Sequence, residues 1–321
     1  MMKKISMYCL AIFLIFGLNP VFAGGGQSYP NGAEAFMSGA VPPPGFYFLD
    51  YLYHYSADSM KDDNGDDIDG FDDISVKANV FRFLWVSEKE ILGANLCMHT
   101  FIPVLDVDID FNGSVGPEAK RSYDDTGVPY VIVNPFVLAW HLNQGKLHIA
   151  ASPADIYVPL GQDDGNLASV GQNFWTFEPI LAVTYMHDKW EFSGKFMYDF
   201  NTTEEKSATI YGFEVDRNPG QEFHVDYSVS YAFTPSFRAG VNGYYYVQTT
   251  DDSYDLNDAI PAAVQTFLKN DEDNRSQVFA VGPGVWYNHK NIFFSLRSQI
   301  ETGAKNKTEG LGVWAKFTYA F

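Results

Sequence analysis

Oxygen donors crowd one short stretch, Asp62-Asp63-Asn64-Gly65-Asp66-Asp67-Ile68-Asp69, and the chemistry it suggests first is calcium binding. Asp62, Asn64 and Asp66 take the first, third and fifth places of a twelve-position loop, and Asp73 takes the twelfth, places at which such a loop carries ligands. The sixth place, where the sharp turn calls for Gly, holds Asp67. Two readings therefore stand: a Ca2+ site at Asp62, Asn64, Asp66 and Asp73, or a solvated acidic loop. His54-Tyr55-Ser56 is the one arrangement with catalytic potential, since a His-x-Ser pair on a strand can activate a serine. His54 and Ser56 fall opposite a row of tyrosines, however, the row that reads as facing outward. No P-loop, H-E-x-x-H, C-x-x-C or G-x-S-x-G occurs, so the chain reads as a non-enzyme without a resident cofactor, Ca2+ at the acidic loop being the one metal left open.

A larger set of polar groups recurs with a period of two. Glu222, His224 and Asp226 share one side of a segment whose other side is Phe223, Val225, Tyr227, Val229, Tyr231 and Phe233. Glu191, Lys195 and Asp199 oppose Trp190, Phe192, Phe196, Tyr198 and Phe200 in the same way. Asp50 and His54, Glu178, Arg297 and Glu301, and Lys316 occupy the more polar side of their own segments, as do Arg238, Tyr244, Tyr246 and Gln248. Period two is the signature of strands with two unlike faces.

The elements that carry these residues divide the chain into strands of bilayer-spanning length. They begin at residues 46–56 and include 72–86, 91–108, 190–201, 221–233, 237–248 and 292–301. Short connections at 87–90, 142–145, 186–189, 234–236 and 288–291 alternate with long ones at 57–71, 111–127, 159–172, 202–220, 249–275 and 303–309. Twelve strands, five short turns and six long loops are the layout of a transmembrane antiparallel β-barrel with both termini on the short-turn side. A β-sandwich with Greek-key connections would not sort its loops by length. Charge facing hydrocarbon at mid-membrane costs roughly 2–4 kcal/mol, so the polar faces are expected to line the lumen. Arg82 is the exception: it shares a face with Val76, Val80 and Leu84, which requires either a bulge there or a different register.

Composition agrees with a barrel. The 27 Phe, 20 Tyr and 6 Trp make up 17% of the chain, yet mean hydropathy is only −0.15. After the first two dozen residues there is no apolar run long enough for a spanning helix. Lys3-Lys4, the apolar run 5–18 and Val21-Phe22-Ala23 read as a secretory signal peptide cleaved near Ala23, rather than as a retained anchor. Cys9 leaves with it, and Cys97 then has no intrachain disulfide partner. Forty acidic residues against 21 basic ones, a formal net charge of −19, exclude nucleic acid as a partner.

Residues 310–321, G-L-G-V-W-A-K-F-T-Y-A-F, end the chain on an amphipathic strand. The terminal Phe321 reads as the signal by which a barrel-assembly machinery recognises its substrate. Outer-membrane lipid and lipopolysaccharide follow as partners, the acidic loops being suited to divalent-ion bridges to the latter. The domain plan is then a signal peptide at 1–23, an irregular Gly- and Pro-rich segment at 24–45 and a barrel at 46–321. The segment either plugs the lumen or hangs in the periplasm. Tyr29, Phe36 and Met37 give it apolar surface for the first role.

Several pieces in order resemble one family: Y-P-N-G-A-E and V-P-P-P-G-F-Y near the amino terminus, F-R-F-L-W-V, N-F-W-T-F-E-P, K-F-M-Y-D-F-N, A-G-V-N-G-Y-Y-Y-V-Q-T-T-D, V-G-P-G and the closing F-T-Y-A-F. Together they resemble the meta-pathway of phenol degradation outer-membrane family, loosely grouped with FadL-like channels. The resemblance implies passive uptake of small hydrophobic compounds, aromatic ones among them, and supplies no agreed ligand residues. A non-conducting barrel working through its acidic surface loops is the competing expectation. On the channel reading, inward Asp50, Glu178, Glu191, Asp199, Glu222, Asp226 and Glu301 outnumber Lys195, Arg238, Arg297 and Lys316, giving an acidic wall that disfavours anions. Tyr244, Tyr246 and Gln248 are expected to form with Arg238 a cluster suited to an aromatic alcohol.

Overall fold

The computed structural model describes residues 28–115, 120–161, 166–208 and 213–321; the signal-peptide reading at 1–23 lies outside them. Twelve long strands form the fold: β1 Gly45–Ala57, β2 Phe71–Ile91, β3 Ala94–Val115, β4 Tyr130–Leu142, β5 Leu147–Pro159, β6 Thr176–His187, β7 Trp190–Asn201, β8 Glu222–Thr234, β9 Phe237–Gln248, β10 Gln277–His289, β11 Ile292–Lys305 and β12 Leu311–Ala320. Each pairs antiparallel with its neighbours in sequence, and β1 pairs with β12 from Tyr47↔Ala320 to Ser56↔Leu311. The ring is therefore closed and leaves no free edge.

Alternation sets the faces. On β7, Trp190, Phe192, Phe196 and Phe200 are exposed while Glu191, Ser193, Lys195, Met197 and Asp199 are buried. Exposed Phe177, Leu181, Val229, Val241, Phe279, Leu296 and Phe317 continue the outer apolar belt. Lipid is the only neighbour for which such a surface makes sense.

Three corrections concern strand ends and faces. Residues 87–90 do not turn; β2 continues to Ile91, and the chain reverses at Leu92-Gly93, whose φ values of 55° and 75° suit a two-residue hairpin. The 111–127 loop is partly strand, since β3 runs to Val115 and Lys120–Gly127 pairs back along it. Arg82 needs no bulge: it points inward with Val80 and Leu84, opposite Leu49 of β1 and Phe101 of β3.

The long loops build structure of their own. Glu204–Ala208, Glu214–Asn218 and Ser253–Asp255 form a three-stranded sheet, and helix α1 (Ala262–Asp271) joins it around buried Val215, Ile260 and Leu268. On the other side of the mouth, Leu167 and Ala168 pack on Met60, Phe71, Ile109, Phe111 and Tyr123.

The ladders of the wall lapse in several places, two of which are bridged by side chains. Pairing of β4 with β5 lapses between Val133↔Ile156 and Leu138↔Ala151, where Pro135 and Pro153 lack N–H donors. Side chains bridge the lapse: Asn134 donates to Ser152 Oγ at 2.8 Å, and Ser152 Oγ donates to the Phe136 carbonyl at 3.0 Å. Pairing of β10 with β11 lapses at Gly282-Pro283, where Asn242 Nδ2 donates to the Gly282 carbonyl at 3.0 Å.

Candidate functional site: a filled lumen beside an apolar cavity

Residues 28–39 run along the inner face of the ring, and almost every residue of Y-P-N-G-A-E has a partner on the wall. The segment starts at the long-loop end, where Ser28 Oγ lies 2.8 Å from Thr176 Oγ1 and accepts from Gln172 Nε2 at 2.7 Å. Tyr29 Oη donates to Asp226 Oδ2 at 2.7 Å, and Asp226 also accepts the N–H groups of Gly32 (2.8 Å) and Glu34 (3.0 Å). Asn31 Oδ1 lies 2.6 Å from His224 Nδ1. The carbonyls of Gly32 and Ala33 accept from Arg297, each at 2.8 Å. At Gly32 φ is +75°, and a Cβ there would come within 2.2 Å of the Gln299 amide, so only glycine fits without strain.

Glu34 is the hub. Its carboxylate accepts from Arg82 Nη1 at 2.8 Å, Tyr51 Oη at 2.7 Å and Lys316 Nζ at 2.6 Å. Burial alone would raise its pKa, but the Lys316 ammonium and the Arg82 guanidinium outweigh that and hold it far below the usual carboxylate range. Lower down, Met37 N–H donates to Glu191 Oε1 at 2.8 Å, and Gly39 N–H to Thr184 Oγ1 at 3.0 Å. The chain leaves at Gly45, the short-turn end of β1.

Most of the polar residues picked out by periodicity are buried within the ring. Glu191 gathers Ser193 (2.5 Å), Ser228 (3.1 Å), Ser230 and Arg238 (3.4 Å). Glu301 accepts from Tyr55 at 2.6 Å, from Tyr244, and from the Gly310 N–H at 2.8 Å. Lys195 places its ammonium 4.4 Å from the Tyr29 ring centroid. Glu178, Asp199, Glu222 and His224 form a separate group near the long-loop end, where Tyr157 donates to Glu178 at 2.9 Å and Tyr246 to Glu222 at 3.1 Å.

Two expectations do not hold, and the acidic loop is arranged by its own hydrogen bonds. Asp50 and His54 face outward, because the tyrosine row of β1 is the inner face: Tyr47, Tyr51 and Tyr55 are buried, while His54 and Ser56 are exposed. Asp50 is met there by Asn79 Nδ2 at 2.5 Å. Tyrosine misleads because its ring suits lipid while its hydroxyl suits a carboxylate. Arg238 does not join Tyr244, Tyr246 and Gln248, since six or more residues at about 3.3 Å each separate them along β9; it binds Glu191, whereas Gln248 donates to Asp252 at 2.8 Å. Asp62, Asp66 and Asp73 are not gathered as donors among the described residues. Asp62 Oδ1 instead accepts the N–H groups of Asn64 (2.8 Å) and Asp66 (3.0 Å), and Asp73 pairs with Asp110 in the sheet.

Sequence reasoning missed Glu34, Asn31, Tyr51, His99 and Asp155, all of which act across the lumen. His99 Nε2 and Asp155 Oδ1 lie 2.7 Å apart, beside the first lapse in the wall. The signal available was Arg82, a cation on an otherwise aliphatic inner face that had to have a buried partner.

Between the segment and the wall lies a small, partly open cavity, walled chiefly by Tyr51, Val80, Phe101, Tyr130, Ile132 and Trp314, with Glu34, Asp155 and Lys195 as its charged groups. Its lining, mainly apolar with a few polar groups, is of the kind found in small-molecule sites.

A closed twelve-stranded ring, an apolar outer belt and a polar interior threaded by the amino-terminal segment define a β-barrel of the bacterial outer membrane. The chain belongs to the MetA-pathway of phenol degradation family, whose profile matches residues 57–317. Among solved structures it is similar to an outer membrane channel of Pseudomonas putida F1, at 13% identity and a TM-score of 0.70 over 92% of this chain and 100% of that one. It is also similar to a deletion mutant of the TodX monoaromatic hydrocarbon channel (10% identity, TM-score 0.48, 95% and 99% covered). A Pseudomonas aeruginosa FadL homologue matches at 10% identity and a TM-score of 0.42, with 95% and 97% covered. No curated protein matches the sequence.

Proposed function

We propose that this protein is an outer-membrane channel for passive uptake of small hydrophobic compounds, aromatic ones among them, and not an enzyme. The observation that carries the reading is the ring-lined cavity inside a barrel whose interior also holds residues 28–39. The aromatic and aliphatic lining suits a solute with a benzene or phenol ring. Glu34, Asp155 and Lys195 at its edge offer hydrogen bonds to a hydroxyl without imposing the many polar contacts a sugar would need. The segment acts as the plug. The acidic lumen should favour cations over anions once the plug is out.

Export by a signal peptide cleaved near Ala23, assembly through Phe321 by the barrel machinery, and bridging of the acidic loops to lipopolysaccharide by divalent ions complete the proposal. Ca2+ would serve in that diffuse role rather than as an EF-hand-like site. The direct test deletes residues 24–42 and measures single-channel conductance and uptake of a hydrophobic probe in parallel. A plugged channel gains conductance and cation selectivity on deletion. A barrel that stays closed and takes up nothing has a structural or surface-interaction role instead, a reading favoured by the segment's bonds to Asp226, Glu191, Arg82, Arg297 and Lys316.

A further inference from the structure

We propose that Asp199, Glu222 and His224 form a site for one divalent transition-metal ion, Zn2+ being the ion that fits best, and that the ion fastens the lumenal segment to the wall. The three residues lie on β7 and β8, Glu222 directly opposite Asp199 in the ladder. All three are fully buried, and their ligand atoms lie within 4.8 Å of one another.

The hydrogen bonds at the site leave room for an ion and call for one. Asn31 Oδ1 takes the proton of His224 Nδ1, which directs Nε2 at the carboxylates, 3.3 Å from Asp199 Oδ2 and 3.4 Å from Glu222 Oε2. Both distances exceed the roughly 2.7–2.9 Å of a charge-assisted hydrogen bond. Four-coordinate Zn2+ holds N and O ligands at about 2.0–2.2 Å, and the edge of such a tetrahedron is roughly 3.3–3.6 Å. The separations match that edge. Neither oxygen of the Asp199 carboxylate accepts a hydrogen bond, although the residue is wholly removed from solvent. A buried carboxylate in that state is costly unless a cation meets it.

Glu178, the neighbour of Asp199 on β6, likewise keeps Oε1 buried without a hydrogen bond, and it or a water can supply the fourth ligand. An imidazole among the donors favours Zn2+ over Ca2+ or Mg2+, which prefer all-oxygen sites. Metal on Nε2 makes Nδ1–H a stronger donor to Asn31. Asn31 belongs to the lumenal segment, so loading the site tightens the segment's hold on β8.

The test uses the full-length folded protein in detergent, stripped with a chelator and titrated with Zn2+ by calorimetry and with Co2+ as a visible-absorption probe. We expect one equivalent per barrel and the intense Co2+ bands of a four-coordinate site. Asp199→Asn and His224→Ala should abolish both. Asn31→Ala, outside the barrel strands, should weaken binding about 10-fold to 100-fold. Shifted mobility of the unboiled protein on a gel certifies that each sample is folded. A folded wild-type barrel without saturable binding overturns the site and leaves His224 as an imidazolium between two carboxylates. Unchanged binding in folded Asp199→Asn overturns it equally. Should the wall variants fail to fold, the wild-type Co2+ spectrum and Asn31→Ala decide. None of these readouts depends on whether the barrel conducts.

Discussion

Lys316 Nζ lies 2.6 Å from Glu34 Oε2, joining the last strand of the barrel to the segment that precedes the first. Arg82 and Tyr51 bind the same carboxylate from β2 and β1, so one side chain holds three neighbouring strands to the lumen's contents. Removing one partner of a buried ion pair costs on the order of 3–5 kcal/mol, because the cations left behind are uncompensated. Glu34→Ala should therefore loosen the segment while the barrel stays folded. Planar-bilayer recordings should show more frequent and larger openings than wild type; unchanged recordings would remove Glu34 from the plug's anchorage.

Acid should reproduce part of that effect. The folded-state pKa of Glu34 is depressed from the ordinary 4.5, so its ionised form contributes stability that is fully present above pH 4.5 and fades as pH falls below it. Openings should be rare and steady from pH 7 to about pH 5 and rise only below about 4.5. In Glu34→Gln the openings should be frequent at neutral pH and change less on acidification. An acid response identical in the variant and the wild type would assign it to other carboxylates.

The outward placement of Asp50 predicts a gain from mutation. A carboxylate between Phe48 and Leu52 on the lipid-facing side of β1, met by Asn79 among the described residues, is a cost to the barrel, smaller than the 2–4 kcal/mol of a basic residue at the midplane. Asp50→Leu should raise stability by about 1 kcal/mol without altering conductance. Urea unfolding in lipid vesicles measures the first. A drop in stability would mean that Asp50 has a partner in the assembled membrane.

Filling the cavity should separate uptake from architecture. Ile132→Trp places a larger ring in the space bounded by Tyr51, Phe101 and Tyr130, and uptake of a hydrophobic probe should fall several-fold while gel mobility remains that of a folded barrel. Equal uptake would move the solute path elsewhere in the lumen.

Phe321 should matter for assembly more than for stability. Its ring is exposed and touches Tyr319 and Phe46 at centroid distances of 4.9 and 5.6 Å. Deleting it should lower the yield of folded protein in the outer membrane several-fold, with the assembled fraction unfolding at an unchanged urea concentration. A normal yield would deny it the role of signal.

Strand positions were legible because alternation is local: β7 and β9 begin and end where the residue pattern changes. The 87–90 turn was misread because Ser, Glu and Lys look like a turn wherever they cluster, although a strand continuing beyond the membrane also carries them. The inner face of β1 was misread because tyrosine is at home on both sides of a barrel wall. Glu34, Asn31 and Asp155 were illegible as site residues for a different reason. Their partners Lys316, His224 and His99 lie 282, 193 and 56 positions away, and no period connects a loop to a wall. Periodicity brought Asp199, Glu222 and His224 to the lumen but could not show that they converge on one point.

The contacts of Glu34 also bear on the order of events during biogenesis. A ring of strands is finished when its first and last members meet, here along the ladder from Tyr47↔Ala320 to Ser56↔Leu311. Glu34 touches Tyr51 on one side of that joint and Lys316 on the other, so its binding place does not exist until the joint has formed. The segment has meanwhile to be lying within the curling sheet, since afterwards its leading end would have to be passed up a nearly filled bore to reach Ser28's position beside Thr176. Zipping the seam and seating the segment are thus one cooperative step, and the carboxylate serves as its clasp.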